Sequence, residues 1–166
     1  MHNELTQSDI KKMEEEIEYR KLVVRKNAIR AVQEAREQGD LSENFEYYAA
    51  KKDKNKNESR IRYLERMIRT AVVVSDDSKE DEAGINNTVT VYIEEDDMEE
   101  CFKIVTTIRS DAINNMVSIE SPIGRSLMKH KVGDRVYIKI NDSDGYYAVI
   151  RNIDKSDDES EKISSY

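Results

Sequence analysis

The sequence predicts an α+β protein: an N-terminal antiparallel α-helical coiled-coil hairpin, followed by a small antiparallel β-sheet domain with one short helix. Three observations carry this expectation. Apolar residues recur every three or four positions through the first 71 residues, which marks helices with one buried stripe. From about residue 89 the period becomes two, which marks half-buried strands. The helical half holds no proline and only one glycine, Gly39, so nothing in it breaks a long helix.

The first helix is expected over residues 8–37. Ser8 or Thr6 can cap its start, and Asp9 suits the positive end of the helix dipole. Its stripe is Ile10, Met13, Ile17, Val24, Ala28, Val32 and Ala35. Gly39 is placed to end it in a left-handed conformation. A second helix is expected over about 43–71, with Tyr47 and Ala50 opening its stripe and Ile61, Leu64, Ile68 and Ala71 closing it. Residues 51–60, KKDKNKNESR, contain no large apolar side chain. With no proline or glycine there, a continuous, weakly packed helix is expected rather than a loop, and polar residues in its seam can fix register. The connection is about five residues long, which makes the helices antiparallel neighbours. About 30 residues at ~1.5 Å each give a rod of roughly 45 Å. Such a rod encloses no site of its own, but it can reach into one.

In the second half, Val89, Val91 and Ile93 alternate with polar residues. So do Phe102 and Ile104, Val117 and Ile119, and Val136, Ile138 and Ile140. Asn141 to Gly145 reads as a turn, and Tyr146 to Ile153 as the returning strand. Ser121 and Pro122 read as the N-cap and first residue of a short helix that includes Ile123, Leu127 and Met128. The expected organisation is a hairpin with an acidic tip over 1–75, a sheet domain over 76–154 and a disordered acidic tail over 155–166.

Composition removes several function classes. Charged residues make up 37% of the 166 and apolar residues 37%, against about 25% and roughly 45–50% in an average domain. The net charge of −8 is uneven. Residues 1–70 hold 16 basic and 14 acidic side chains; residues 71–166 hold 11 and 21. The longest aliphatic run, Ala71 to Val74, is far short of the ~20 residues a membrane helix needs. The N-terminus, MHNELTQSDIKKMEEE, lacks the apolar core of a signal peptide. Cys101 is the only cysteine, and His2 and His130 are distant in sequence, so neither a disulfide nor a zinc site is expected. A reducing cytoplasm is the expected setting. The acidic balance argues against sequence-specific DNA binding or nucleic-acid binding over the whole surface.

The connection between the helices reads Gly39-Asp40-Leu41-Ser42-Glu43-Asn44. Two readings of its acids are open. Asp40 with Glu43 three residues later has capping-box spacing, and acids suit a helix start. Alternatively, two carboxylates on a rod tip can complete an Mg²⁺ site whose other oxygen ligands come from a partner and from phosphate. Arg36, Lys51 and Lys52 lie within a few turns of the tip. They suit either RNA phosphates or ion pairs along the rod. Tyr47 and Tyr48 read first as packing residues.

Residues 35–67, AREQGDLSENFEYYAAKKDKNKNESRIRYLERM, resemble the bacterial Gre transcript cleavage factors, and within them the GreA branch. The GDLSEN tip, the following EY and the basic helix carry the likeness, with EEIEYRK at 15–21. SPIGRSL at 121–127 and VGD at 132–134 are similar to the family's C-terminal signature. The resemblance spans about residues 5–154; LVVRKN at 22–27 departs from the pattern.

The resemblance implies a transcription elongation factor that is not an enzyme by itself. Its coiled coil would enter the secondary channel of a backtracked bacterial RNA polymerase, and an FKBP-like C-terminal domain would dock at the channel rim. Asp40 and Glu43 would help hold an Mg²⁺ shared with the polymerase, with none bound stably by the isolated protein. The polymerase would then cut its own transcript near the backtracked 3′ end. Ser42, Asn44 and Tyr47 match tip-shaping positions, Arg36 and Lys51 a basic patch, and Ser121 and Pro122 a region that contacts the polymerase. The alternatives are a relative that plugs the channel and inhibits without cleavage, and an unrelated coiled-coil adaptor. Prolyl isomerase activity would rest on the fold alone.

Overall fold

The computed structural model describes residues 3–40 and 44–165. They form two compact units. One contains residues 10–71; the other joins residues up to 9 with residues from 72 onward. Among the described residues, no helix is long and apolar enough to cross a membrane.

The first unit is the expected helical hairpin. Its first arm comprises α1 (Gln7–Tyr19), which begins in the other unit, a π-helical turn (Arg20–Val24) and α2 (Arg25–Arg36). Its second arm is α3 (Phe45–Arg69), unbroken through the polar stretch 51–60. Thr6, rather than Ser8, caps α1. Its hydroxyl accepts the Asp9 amide at 3.1 Å, while the Asp9 carboxylate accepts the Thr6 amide at 3.0 Å. This is a reciprocal capping box.

The first arm differs from a uniform α-helix where its apolar stripe is interrupted. Between Ile17 and Val24 the seam is polar, and here the helix widens into the single π-turn, leaving Leu22 and Val23 exposed. Arg60, 3% exposed, donates to both oxygens of Glu16, from Nε at 2.8 Å and Nη2 at 3.3 Å. Arg20 Nε donates to Glu16 at 2.8 Å, and Arg20 Nη1 to Asn57 Oδ1 at 3.0 Å. Asn57 returns a hydrogen bond to the Arg20 carbonyl at 3.4 Å. Arg25–Glu58 at 2.9 Å and Lys21–Glu65 at 2.7 Å flank the cluster. Sliding one arm along the other would leave Arg60 and Asn57 buried without these partners, so the cluster sets the register.

The second unit carries a five-stranded sheet. Its strands are β3 (Thr88–Ile93), β4 (Met98–Val105), β5 (Met116–Ser118), β6 (Arg135–Lys139) and β7 (Gly145–Asp154), in the order β5-β4-β3-β7-β6. The sheet is mixed rather than wholly antiparallel, because β5 runs parallel to β4. A 3₁₀ turn at Thr107–Arg109 and the loop after it carry the chain back, so that β5 starts at the same end as β4. The period-two residues Val89, Val91, Phe102, Ile104, Val136 and Ile138 all face one core, which α4 (Pro122–Leu127) covers with Leu127. Ile119 and Ile140 fall just beyond their strands. Ile140 enters the turn, where its amide donates to the Asp144 carbonyl, and it is exposed. A two-stranded parallel pair, β1 (Glu4–Leu5) with β2 (Val72–Val73), adds the N-terminal residues to this unit. The described residues 3–9 and 72–75 group with the sheet unit.

The segment after β7, expected as a disordered tail, is tied to the unit by charge. Arg109 has a fully buried side chain. Its Nε donates to the buried Asp9 carboxylate at 2.7 Å, and its other nitrogens reach Glu159 at 3.2 Å and Glu161 at 3.4 Å. Lys103 also pairs with Glu161, and the Ser164 amide donates to the Ile108 carbonyl at 2.7 Å. Sequence composition alone reads these acids as solvated; the buried guanidinium gives them a partner.

Two outcomes are expected. Burial pushes the Glu16 carboxyl up, but hydrogen bonds from Arg60 and Arg20 outweigh it and hold the pKa below the ordinary 4.5. A depressed folded pKa gives stability that is present above 4.5 and lost as pH falls below it. Helix stability followed by circular dichroism in urea should drop over that range, and less steeply in Glu16→Gln. Removing residues 156–166, or replacing Glu159 and Glu161 by Gln, should destabilise the sheet unit by about 2 kcal/mol in urea unfolding, the scale of a charged hydrogen bond.

Candidate functional site at the hairpin tip

The first arm ends in an ordinary way. The Glu37 amide bonds back to the Gln33 carbonyl at 3.2 Å and the Gln38 amide to the Ala35 carbonyl at 3.3 Å. Gly39 then takes φ +126°, a conformation open to glycine and strained for other residues. Asp40 follows, exposed to solvent. Leu41, Ser42 and Glu43 lie outside the described residues.

Asn44 is the residue on which the tip closes. Its side-chain oxygen accepts the Tyr47 amide at 3.0 Å, capping α3. Its side-chain nitrogen donates to the Ala35 carbonyl of the first arm at 2.6 Å. One amide group therefore joins the end of one helix to the start of the next. The cap is Asn44, so Asp40 stands four residues upstream of the cap and is not the N-cap itself.

Arg36 and Tyr47 meet across the tip, with the guanidinium carbon 5.6 Å from the ring centre. The Arg36 hydrogen bond first, and then the Lys51 charge, hold the Tyr47 hydroxyl below its ordinary pKa of 10.0. Arg36, Asn44 and Lys51 thus all bear on Tyr47, through a ring contact, a backbone cap and a nearby charge. Tyr48 packs edge-on against Tyr47, with centroids 5.5 Å apart, and is half exposed. Phe45 is 86% exposed. Sequence reasoning passed over Phe45, although three aromatics within residues 45–48 of a rod with almost no interior were a visible signal.

Ser121 and Pro122 lie in the sheet unit. The Ser121 hydroxyl accepts the Gly124 amide at 3.1 Å and donates to the Ser118 carbonyl at 2.6 Å, and Pro122 opens α4 at an exposed position. A Cβ at Gly124 would stand 2.0 Å from the Ser118 carbonyl oxygen, so only glycine lets α4 approach β5 this closely. Beside Pro122 opens an apolar groove of about 440 Å³, lined by Met116, Val117, Ile123, Ile140 and Tyr146 among others. It is assembled from three strand ends and a helix, which no local sequence pattern reveals.

Two family profiles match the chain. One, described as transcription elongation factor, N-terminal, covers residues 3–73. The other, described as transcription elongation factor, GreA/GreB, C-term, covers residues 77–164. The chain belongs to the GreA/GreB family of transcription elongation factors.

Transcription elongation factor GreA of Thermoanaerobacter pseudethanolicus is 43% identical over 137 residues, which are 82% of this chain and 87% of that one. Its Bacillus subtilis counterpart is 38% identical over 135 residues, 81% of this chain and 86% of that one. Among solved structures, GreA factor homolog 1 of Thermus thermophilus is 22% identical, with coverage of 90% and 97% and a TM-score of 0.41. GreA/GreB factors stimulate RNA cleavage by the polymerase itself, so the chain is an elongation factor and not an enzyme in its own right.

Replacing Asn44 by Ala should speed hydrogen exchange at the Tyr47 amide about tenfold and cost the hairpin about 1 kcal/mol. Asn44→Asp keeps the cap acceptor but loses the donor to Ala35, so an intermediate effect is expected by the same exchange measurement.

Proposed function

We propose that this GreA/GreB factor carries Asp40 and Glu43 on its tip through the secondary channel of a backtracked bacterial RNA polymerase and there promotes transcript cleavage. The observation that carries this reading is the capping of α3 by Asn44. With that role filled, the capping-box explanation of Asp40 falls away, leaving an exposed carboxylate at the far end of a rod. The position supports a function outside the protein's own fold.

Asp40 and Glu43 would hold Mg²⁺ together with the polymerase's own carboxylates. Hard oxygen donors suit this ion, which seldom relies on a single protein for its whole shell. Bound there, the ion would polarise the phosphodiester and favour a hydroxide-like water. Asn44 ties the start of α3 to the end of the first arm, and Ser42 lies in the same stretch of sequence as the acids. Arg36 and Lys51 place positive charge behind the acids, where it offsets repulsion from an acidic polymerase centre and attracts RNA phosphates. The apolar groove beside Ser121 and Pro122 supports docking of the sheet unit on the polymerase at the channel rim. This work would be done in the cytoplasm, on RNA presented by the polymerase rather than on DNA sequence.

The test uses a stalled, backtracked elongation complex with Mg²⁺. Wild-type protein should release short 3′ RNA fragments, and Asp40→Ala with Glu43→Ala should lower the rate at least about a hundredfold while still competing for binding. Binding without fragments from wild-type protein would favour the inhibitory reading, and full activity of the double variant would remove the tip acids from the mechanism.

A further inference from the structure

Phe45 is one of two phenylalanines in the chain, and it projects into solvent at the first position of α3. Its ring is 86% exposed, in a protein with little apolar material to spare. Tyr48 lies three residues on, on the same side of the helix and 52% exposed. Tyr48 in turn packs edge-on against Tyr47, whose ring lies under the Arg36 guanidinium. Three of the chain's eleven aromatic residues thus stand within four positions, with Arg36 against Tyr47 and Lys51 one helical turn beyond Tyr48.

Packing does not explain this density, since α3 buries its apolar residues at Ile61 and Leu64, far from the tip. Aromatic rings beside cations are the chemistry of single-stranded nucleic-acid binding, in which unpaired bases stack on rings and phosphates meet the positive charges. The exposed carboxylate of Asp40 would repel an anionic partner lacking a metal or a base to hold on to.

We infer that Phe45, with Tyr48 beside it, stacks on an unpaired base at the extruded 3′ end of the transcript and so holds the RNA against the tip acids. The inference rests on the cleavage reading above and adds the group that grips the RNA. Arg36 and Lys51 are left to face phosphates. Phe45 acts here through a base and takes no part in bond cleavage.

The experiment compares cleavage at saturating factor on two backtracked complexes, one ending in a purine nucleotide and one in an abasic nucleotide. On the purine complex, Phe45→Ala should slow cleavage about tenfold or more, Phe45→Trp should retain the rate and Phe45→Leu should not. On the abasic complex, wild type and Phe45→Ala should cleave at the same reduced rate. Equal losses on both complexes, or rescue by Leu, would overturn the inference and assign Phe45 to an apolar contact with the polymerase. Failure of the wild-type protein to release fragments from either complex would instead strike the cleavage reading itself. Circular dichroism of each variant checks that the hairpin remains folded.

Discussion

A two-helix rod has one interface, and whatever fixes the register of that interface decides which residues stand at its end. Here the fixing is polar. Arg60 and Arg20 converge on Glu16, and Asn57 exchanges hydrogen bonds with Arg20. Apolar side chains tolerate a slip along a smooth stripe, whereas a buried guanidinium that loses its carboxylate costs several kcal/mol, roughly 3–5. The cluster sits midway along the arms and the connection lies at their end. A slip of one turn would move Ala35 about 5 Å relative to Asn44. The 2.6 Å hydrogen bond that closes the tip would then be impossible. The mid-rod charges and the tip geometry are consequently one constraint.

The same logic of buried charge recurs in the sheet unit at a different scale. Asp9 serves twice, as the capping-box acid of α1 and as the partner of the buried Arg109. Its second oxygen also accepts the Thr106 hydroxyl at 2.6 Å. A buried arginine with one carboxylate would leave several donors unmet, and the acids after β7 supply the remainder. An excess of negative charge in this half is in part matched to that arginine and to Lys103, rather than spread over the surface for solubility.

Much of this was legible in the residues. The stripe from Ile10 to Ala35, the unbroken α3, the period-two strands and the Ser121–Pro122 helix start all follow from local rules, because each depends on neighbours within one turn or one strand. What the sequence did not disclose depends on distant partners. The parallel pairing of β5 with β4 is set by the path of the chain after Arg109, and no alternation encodes direction. The π-turn arises where the stripe is interrupted, which LVVRKN hinted at without specifying. The tail acids read as solvated because Arg109, about fifty residues upstream, was not visibly their partner. At the tip, Asp40 and Glu43 had the spacing of a cap, and only the side chain of Asn44 decides that the cap lies elsewhere.

That Asn44, and not Asp40, caps α3 bears on what the rod is for. A carboxylate that caps a helix is already engaged with the backbone and is a poor ligand for anything else. Asp40 sits outside the cap, exposed to solvent after a glycine in the left-handed region. The rod contributes reach, its polar seam contributes rigidity, and the tip contributes acids, cations and aromatic faces in close sequence. None of these forms a catalytic centre alone. On the proposed reading, each would become useful beside a metal and a nucleic acid that the polymerase supplies.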